Sequence, residues 1–404
     1  MKEEENRGKS RSRAGSKSKI GRKKRRGLYR RAGRRRLTER KVFRAVLVGM
    51  GLLLFLALSA ICLYAWLKHA GWETLRRKQE ALPEGMVLGE TSAGGGRQEE
   101  PEPRESQEPL KDGMLRYQGK TYSYKEDVLT FLCMGIDKSG EAEASKDLHR
   151  GGQADALFLA VMDPGEKKIS VIGINRDTMA ELFVYDGEGN YLGREMGQIA
   201  LQHAYGDGME ESCERTVEAV SNLFYGIPVH GYLAMNMDAI IPINDAVGGV
   251  DVVIGEGDEN IEITSGNKRL YRAGWKAGET VHLEGAEAYS FVRNRDMYAP
   301  HSAEQRLERQ KRYLEAFAAQ AKEAVAQDLT LPAKLYGEIL PYMVTDISVS
   351  EAVYLATQAV SYTFARENLY SLRGEIRMGE QFEEFYPDET ALYELILQVF
   401  YEEE

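Results

Sequence analysis

Cysteine and histidine are scarce in this chain, which holds three and six of them among 404 residues. Cys62 lies inside an apolar run, so only Cys133 and Cys213 remain elsewhere, too few for a disulfide framework. Each reads as a small core residue, with a single bridge between them left open. The six histidines show no metal-type spacing. There is no internal repeat, and no helix-turn-helix or other base-reading motif.

Charge is distributed very unevenly. Residues 1–44 carry twenty Lys and Arg against four Glu, so with the whole chain at −10 the remainder stands near −26. Immediately afterwards, residues 45–67 (AVLVGMGLLLFLALSAICLYAWL) contain no charge. As a helix that run is long enough to cross a hydrocarbon core of roughly 30 Å. Tyr64 and Trp66 sit at its far end, as interfacial aromatics do. The basic excess before the run puts the tail in the cytoplasm and the rest outside the cell membrane. A cleaved signal peptide fits less well, because the run exceeds a typical h-region and Leu67-Lys68-His69 is no small-residue cleavage site. Ile61 before Cys62 likewise argues against a lipoprotein signal. The tail reads as a topology signal attracted to anionic headgroups, with no specific nucleic acid as partner.

Beyond the run, residues 68–113 read as a short helical stalk (WETLRRKQEAL) and a Gly, Pro and Glu-rich tether that leaves the next domain free in orientation. Residues 114–404 read as one sizeable domain. The apolar runs 128–135, 156–162 and 169–174 are short and bounded by Asp, Gly and Pro, which predicts buried strands, the last two joined by a turn at Asp163-Pro164-Gly165. Helices are predicted over 212–224 and 237–247. Gly248-Gly249 then leads into a strand over 250–254 and a hairpin-like stretch over 270–283. Residues 329–404 complete the same domain. The expected fold is α/β, a mixed central sheet flanked by helices and preceded by one transmembrane helix.

Polar residues cluster near the predicted strand ends. If 291–295 is extended, Arg293 and Arg295 share a face; if 304–313 is helical, Arg306 and Gln310 share another, with Arg309 beside them. Arginine forks suit a diphosphate because they donate bidentate hydrogen bonds and stay charged. Surface ion pairs with Asp296, Glu304 and Glu308 are the plainer alternative. Asp137, Asp155 and the pair Arg176-Asp177 fall at the ends of the first three strands. Carboxylates beside arginines suit a divalent cation, Mg²⁺ or Mn²⁺, shared with a phosphate; turn or helix capping is the plainer reading for any one of them.

These residues lie in text that resembles the LytR-CpsA-Psr family of cell-envelope glycopolymer transferases. The matching stretches are FLCMGID (131–137), DALFLAVMD (155–163), INRDT (174–178), HAYG (203–206), VGGVD (247–251), LEGAEAYSFVRNR (283–295) and RLERQ (306–310). The resemblance implies a three-layer α/β/α-like domain with an apolar pocket for a polyprenyl chain and a polar mouth for its pyrophosphate. It implies that Arg176, Arg293, Arg295 and Arg306 bind pyrophosphate, that Gln310 assists, and that Asp137 and Asp155 hold Mg²⁺. Asp177 would orient Arg176 or act as a base. The implied activity is transfer of a glycan phosphate from a polyprenyl-pyrophosphate-linked donor to peptidoglycan, attaching wall teichoic acid or capsular polysaccharide and releasing polyprenyl monophosphate. Rival readings are a non-catalytic lipid-binding or regulatory protein, a pyrophosphate hydrolase, and DNA binding by the tail. Three departures stand out: Asn175 where the family usually has proline, which would loosen that turn; Ala200 where many members carry lysine; and Ala154 and Ala156 in place of hydroxyl residues around Asp155.

Overall fold

The computed structural model describes residues 55, 58–79, 82–88, 110–145, 150–186, 188–266, 268–296 and 299–404. The basic tail, most of the apolar run and residues 89–109 of the tether lie outside these. Among the described residues no helix is long and apolar enough to cross a membrane. The chain divides into two compact units, Met1–Trp66 and Leu67–Glu404.

In chain order, helix α1 (58–78) precedes three short strands, β1 (Met86–Leu88), β2 (Met114–Tyr117) and β3 (Lys120–Tyr124). The first three predicted strands form as β4 (Leu129–Ile136), β5 (Ala154–Asp163) and β6 (Lys168–Ile174), with Asp163 Oδ1 accepting from Glu166 N at 3.0 Å in the connecting turn. A hairpin of β7 (Met179–Tyr185) and β8 (Tyr191–Gln198) leads to α2 (Leu201–Ala204), α3 (Glu210–Leu223) and β9 (Gly231–Asn236). The helix expected over 237–247 is a 3-10 turn (Met237–Ala239) followed by α4 (Ile240–Ala246), which ends before Gly248 and Gly249, both at positive φ.

The 270–283 stretch does not fold back on itself. Strand β10 (Val250–Val253) pairs with β13 (Thr280–Leu283), and β11 (Glu262–Ser265) with β12 (Lys268–Arg272). Nor is 291–295 a strand. Helix α5 (Gly285–Arg293) takes in its first three residues and ends there, because Ala and Glu favour a helix and Ala288 and Phe291, three apart, bury one face. The helix predicted over 304–313 extends as α6 (Ser302–Gln327). Then follow α7 (Leu331–Ile339), β14 (Met343–Thr345), α8 (Val349–Ala359), β15 (Leu369–Ser371), the hairpin β16 (Gly374–Met378) and β17 (Glu383–Pro387), α9 (Glu389–Phe400) and β18 (Tyr401–Glu403).

The central sheet is mixed, in the order β14-β9-β4-β5-β6-β15. One face is tightly filled: Leu132, Met134, Leu157, Leu159, Ile172 and Ile174 are fully buried in a cluster with side chains from α3 and α9. Residues pointing the other way are covered less closely. Cys133 is paired in register with Phe158 and Leu233, and Met235 with Gly135, yet Cys133, Phe158, Leu233 and Met235 are only half-buried. Helix α6 crosses this second face, with Leu307 set over Gly173, where a Cβ would come within 3.0 Å of Leu307 Cδ1.

The stalk corrects the expected boundary at 114. It is helical as expected but docked: Leu75 is 1% exposed and packs with Leu129, Phe131, Met162 and Tyr362. Lys78 pairs with Asp346 at 3.2 Å and Glu351 at 3.4 Å, and β1 pairs with β2. Long-range apolar burial, which local composition does not reveal, draws these residues into the domain.

Candidate functional site

Four strand ends meet at one edge of the central sheet. β4 runs into Asp137, β9 into Met237 and β6 toward Arg176, while β5 opens with Ala154 and Asp155. The carboxyl ends of parallel strands such as β4 and β9 are a common place for ligands in open α/β sheets. Here the register slips. Gly135 faces Ala156 and Ile136 faces Ala154, so Asp155 is an extra, bulged residue. A bulge re-aims a side chain.

Asp155 links two arginines. Its Oδ1 accepts from Arg176 Nη1, and its Oδ2 accepts from Arg306 Nη1 at 2.9 Å. Arg306 Nη2 donates to the Asp155 main-chain carbonyl, also at 2.9 Å. Arg176 Nη2 donates to Gln153 Oε1, and its Nε stands 3.3 Å from Asp177 Oδ1. Asp177 is buried and accepts from Gln198 Nε2 at 3.2 Å. Burial raises its carboxyl above the usual carboxylate range, against the pull of Arg176, Arg295 and Arg306. Arg306 is also buried. That burial lowers its guanidinium to about 10; Asp155 opposes the shift, and the charges of Arg295 and Arg176 add to it.

Three of the expected arginines therefore converge: Arg176, Arg295 and Arg306. Arg293 and Arg295 separate where α5 ends. Arg295 stays half-buried, 3.5 Å from Ser302 Oγ. Arg293 lies with Nε 2.7 Å from Met237 Sδ and its guanidinium 5.5 Å from the Tyr289 ring centre. Because Met237 N donates to Lys138 O at 2.9 Å, Arg293 remains on the Asp137 side of the same edge.

Asp137 is exposed, and its Oδ1 accepts from Gln153 N at 2.6 Å. Desolvation by the surrounding protein, together with the Asp155 charge, raises its carboxyl above the usual range. Among the described residues no group of three or more His, Cys, Asp or Glu side chains forms a metal site. The two neighbouring carboxylates are hard oxygen donors, a set that fits magnesium when phosphate oxygens complete it.

Gln310 does not face these groups. Its Nε2 donates to Val292 O at 3.1 Å, while Arg309 donates to Phe291 O at 2.6 Å, to Asn294 O and to Asp258 Oδ1 at 3.0 Å. Both side chains satisfy carbonyls at the end of α5 and so fix where Arg293 and Arg295 start. Sequence reasoning missed Gln153, Gln198 and Met237. Each is a single polar or soft residue at a strand end, with no spacing to mark it.

The model of the LytR_cpsA_psr family matches residues 95–394. The chain belongs to this family. Among curated relatives it is 28% identical over 273 residues to the polyisoprenyl-teichoic acid--peptidoglycan teichoic acid transferase TagV of Bacillus subtilis (strain 168), covering 66% of this chain and 63% of that protein. It is also 28% identical over 171 residues to the corresponding TagU of Bacillus mycoides (strain KBAB4), covering 42% of this chain and 45% of that protein. The match thus spans about half the length of such relatives. The crystal structure of B. subtilis TagV shares the fold at a TM-score of 0.51 and 23% identity, covering 67% of this chain and 95% of that one. So does protein gbs0355 from Streptococcus agalactiae, at 0.52 and 20% identity, covering 67% and 86%.

As a LytR_cpsA_psr member the chain handles its departures locally. Asn175 does not loosen its turn. Its Oδ1 accepts from Asp177 N at 3.0 Å, an Asx-type turn, and its carbonyl accepts from Thr178 N at 3.0 Å and Thr178 Oγ1 at 2.6 Å. Ala200 is fully buried and brings no cation, but its backbone joins two site strands, with N donating to Arg176 O at 3.2 Å and O accepting from Ala154 N at 3.0 Å. His203, buried with Nδ1 2.9 Å from Gly152 O, has its pKa lowered by burial and braces the start of β5. Cys133 and Cys213 are both free.

Proposed function

We propose that this chain is a membrane-anchored phosphotransferase. It takes a glycan joined to a polyprenyl pyrophosphate and passes the glycan phosphate to a sugar hydroxyl of peptidoglycan. One observation carries the reading: Arg176, Arg295 and Arg306 converge around Asp155 and Asp177 at one end of an apolar sheet face that its helices leave half-covered. A diphosphate with an apolar tail is the ligand that uses both features. The names of TagV and TagU, teichoic acid transferases to peptidoglycan, support the same chemistry.

In the proposed reaction the acceptor oxygen bonds to the glycan-side phosphorus and the phosphoanhydride bond breaks. Its electron pair leaves on polyprenyl monophosphate, and the hydroxyl proton is released. The arginines stabilise charge that grows on the phosphoryl and leaving oxygens. Asp177 holds Arg176 in place, and Arg293 meets the phosphates from the Asp137 side. Asp137 and Asp155 would hold Mg²⁺ or Mn²⁺, whose charge would further neutralise the diphosphate. The apolar run 45–67 and the basic tail support a cell-membrane location with the domain outside.

The test is to incubate the full chain in detergent with a short glycan on polyprenyl pyrophosphate, peptidoglycan oligomers and Mg²⁺, and to follow the products by mass spectrometry. Polyprenyl monophosphate release that requires both acceptor and metal is expected. Release without acceptor would replace transfer by hydrolysis, and lipid retained without release would leave only binding.

A further inference from the structure

Arg295 follows the end of α5 and lies 3.5 Å from Ser302 Oγ, a distance too long to fix its place. The residue before it is fixed instead. Asn294 N donates to Ser290 O at 2.9 Å, and Asn294 Nδ2 donates to Glu262 O at 2.5 Å. The Asn294 carbonyl accepts from Arg309 Nη2, and Arg309 Nε donates to Phe291 O at 2.6 Å. Carbonyls at a helix end have no partner within the helix, so a side chain from α6 supplies one here.

Arg309 is placed in turn by Asp258. This residue lies in the loop between β10 and β11 and is 4% exposed. Its Oδ1 accepts from Arg309 Nη1 at 3.0 Å, and its Oδ2 accepts from Arg312 Nη2. One buried carboxylate thus holds two guanidinium groups that stand three apart on α6. Gly255 makes room for the second of them: a Cβ there would stand 2.7 Å from Arg312 Cζ. Burial lowers the Arg309 guanidinium below its ordinary value, and the Asp258 charge opposes that shift. On the same helix, three residues earlier, Arg306 bonds Asp155 at 2.9 Å. Within one turn α6 therefore grips both the opening of β5 and the end of α5.

We infer that Asp258 is a positioning residue for Arg295: by locking Arg309 it holds the Asn294 carbonyl, and with it the peptide bond that begins Arg295, in register with Arg306. This rests on the diphosphate site proposed above. Asp258 acts through Arg309. Without its charge Arg309 loses the partner that aims its fork, the Asn294 carbonyl is released, and Arg295 is no longer presented beside Arg176 and Arg306. The effect is confined to one arginine of the three. Arg176 is set separately, by Asp155, Gln153 and Asp177.

The experiment titrates the full chain in detergent with inorganic pyrophosphate, followed by calorimetry. Asp258→Asn keeps the shape but loses the charge and one acceptor, and is expected to weaken binding about tenfold, the worth of one charge-assisted hydrogen bond. In an Arg295→Ala background the same change is expected to add nothing, because the arginine it positions is gone. In an Arg176→Ala background it should again cost about tenfold. Arg309→Lys keeps a cation beside Asp258 but loses the fork that reaches both carbonyls; it should give the same pattern, and it carries the test if Asp258→Asn does not fold. Wild-type affinity in either folded variant would overturn the inference. So would an equal loss in the Arg295→Ala background, since a substitution acting through the fold at large weakens binding whether or not Arg295 is present. A wild-type chain that binds no pyrophosphate would remove the diphosphate reading together with this one, whereas binding with additive losses removes this one alone.

Discussion

Arg306 grips Asp155 twice, through the carboxylate and through the main-chain carbonyl, both at 2.9 Å. The two residues are 151 positions apart in sequence. This pair fixes the first turns of α6 to the opening of β5 and places one guanidinium beside those of Arg176 and Arg295.

Lysine cannot reproduce that grip, because one ammonium lacks the planar fork. Arg306→Lys is expected to lower transfer at least tenfold, in line with loss of a charge-assisted bond of about 1.5–3 kcal/mol. Product release measured beside a thermal melt checks this. Wild-type turnover in the variant would show that one point charge suffices.

Gly173 gives α6 its close seat. Gly173→Val places branched carbons where Leu307 already stands, and overpacking of this kind costs about 1–3 kcal/mol. A lower denaturant midpoint is expected, with partial recovery on adding Leu307→Ala. No recovery would mean that the contact with Leu307 is not what the valine disturbs.

Asp177 keeps a carboxyl raised by burial, so the folded protein binds its proton more tightly than the unfolded chain does. The stability it contributes is present below the ordinary carboxylate pKa and is lost as pH rises through the raised folded value. Asp177→Asn is therefore expected to unfold no sooner than wild type at neutral pH and to show a flatter stability profile in mild acid, while transfer falls because Arg176 loses its carboxylate at 3.3 Å. Thermal melts across pH, paired with the release assay, measure both. A large drop in neutral-pH stability would refute the assignment.

Asn175→Ala deletes the acceptor for Asp177 N and is expected to cost about 1 kcal/mol. Asn175→Asp, which keeps an acceptor oxygen, should recover most of that loss in urea melts. If alanine is neutral, the turn is held by the Thr178 bonds alone.

The sequence by itself determined the local elements and the site's chemical inventory. Short apolar runs bounded by Asp, Gly and Pro determined β4, β5 and β6, because a strand's pattern is carried by its own residues. Helix formers over 304–313 determined the core of α6. Asp137, Asp155, Arg176, Asp177 and Arg306 were legible as candidates from their places in or near these elements, whereas Arg295 was marked on a strand that does not form. Only the tertiary structure decided which of them meet. It made 291–293 the last turn of a helix and left Asn294 and Arg295 beyond its end, since the burial of Ala288 and Phe291 outweighs a short apolar run that also suits a strand. It turned Gln310 and Arg309 toward the carbonyls at the end of α5, bulged Asp155 between two arginines and docked Leu75 at the far end of the sheet. Each of these outcomes depends on partners remote in sequence, and the free energy of burying and pairing such partners is set by packing, which no local pattern encodes.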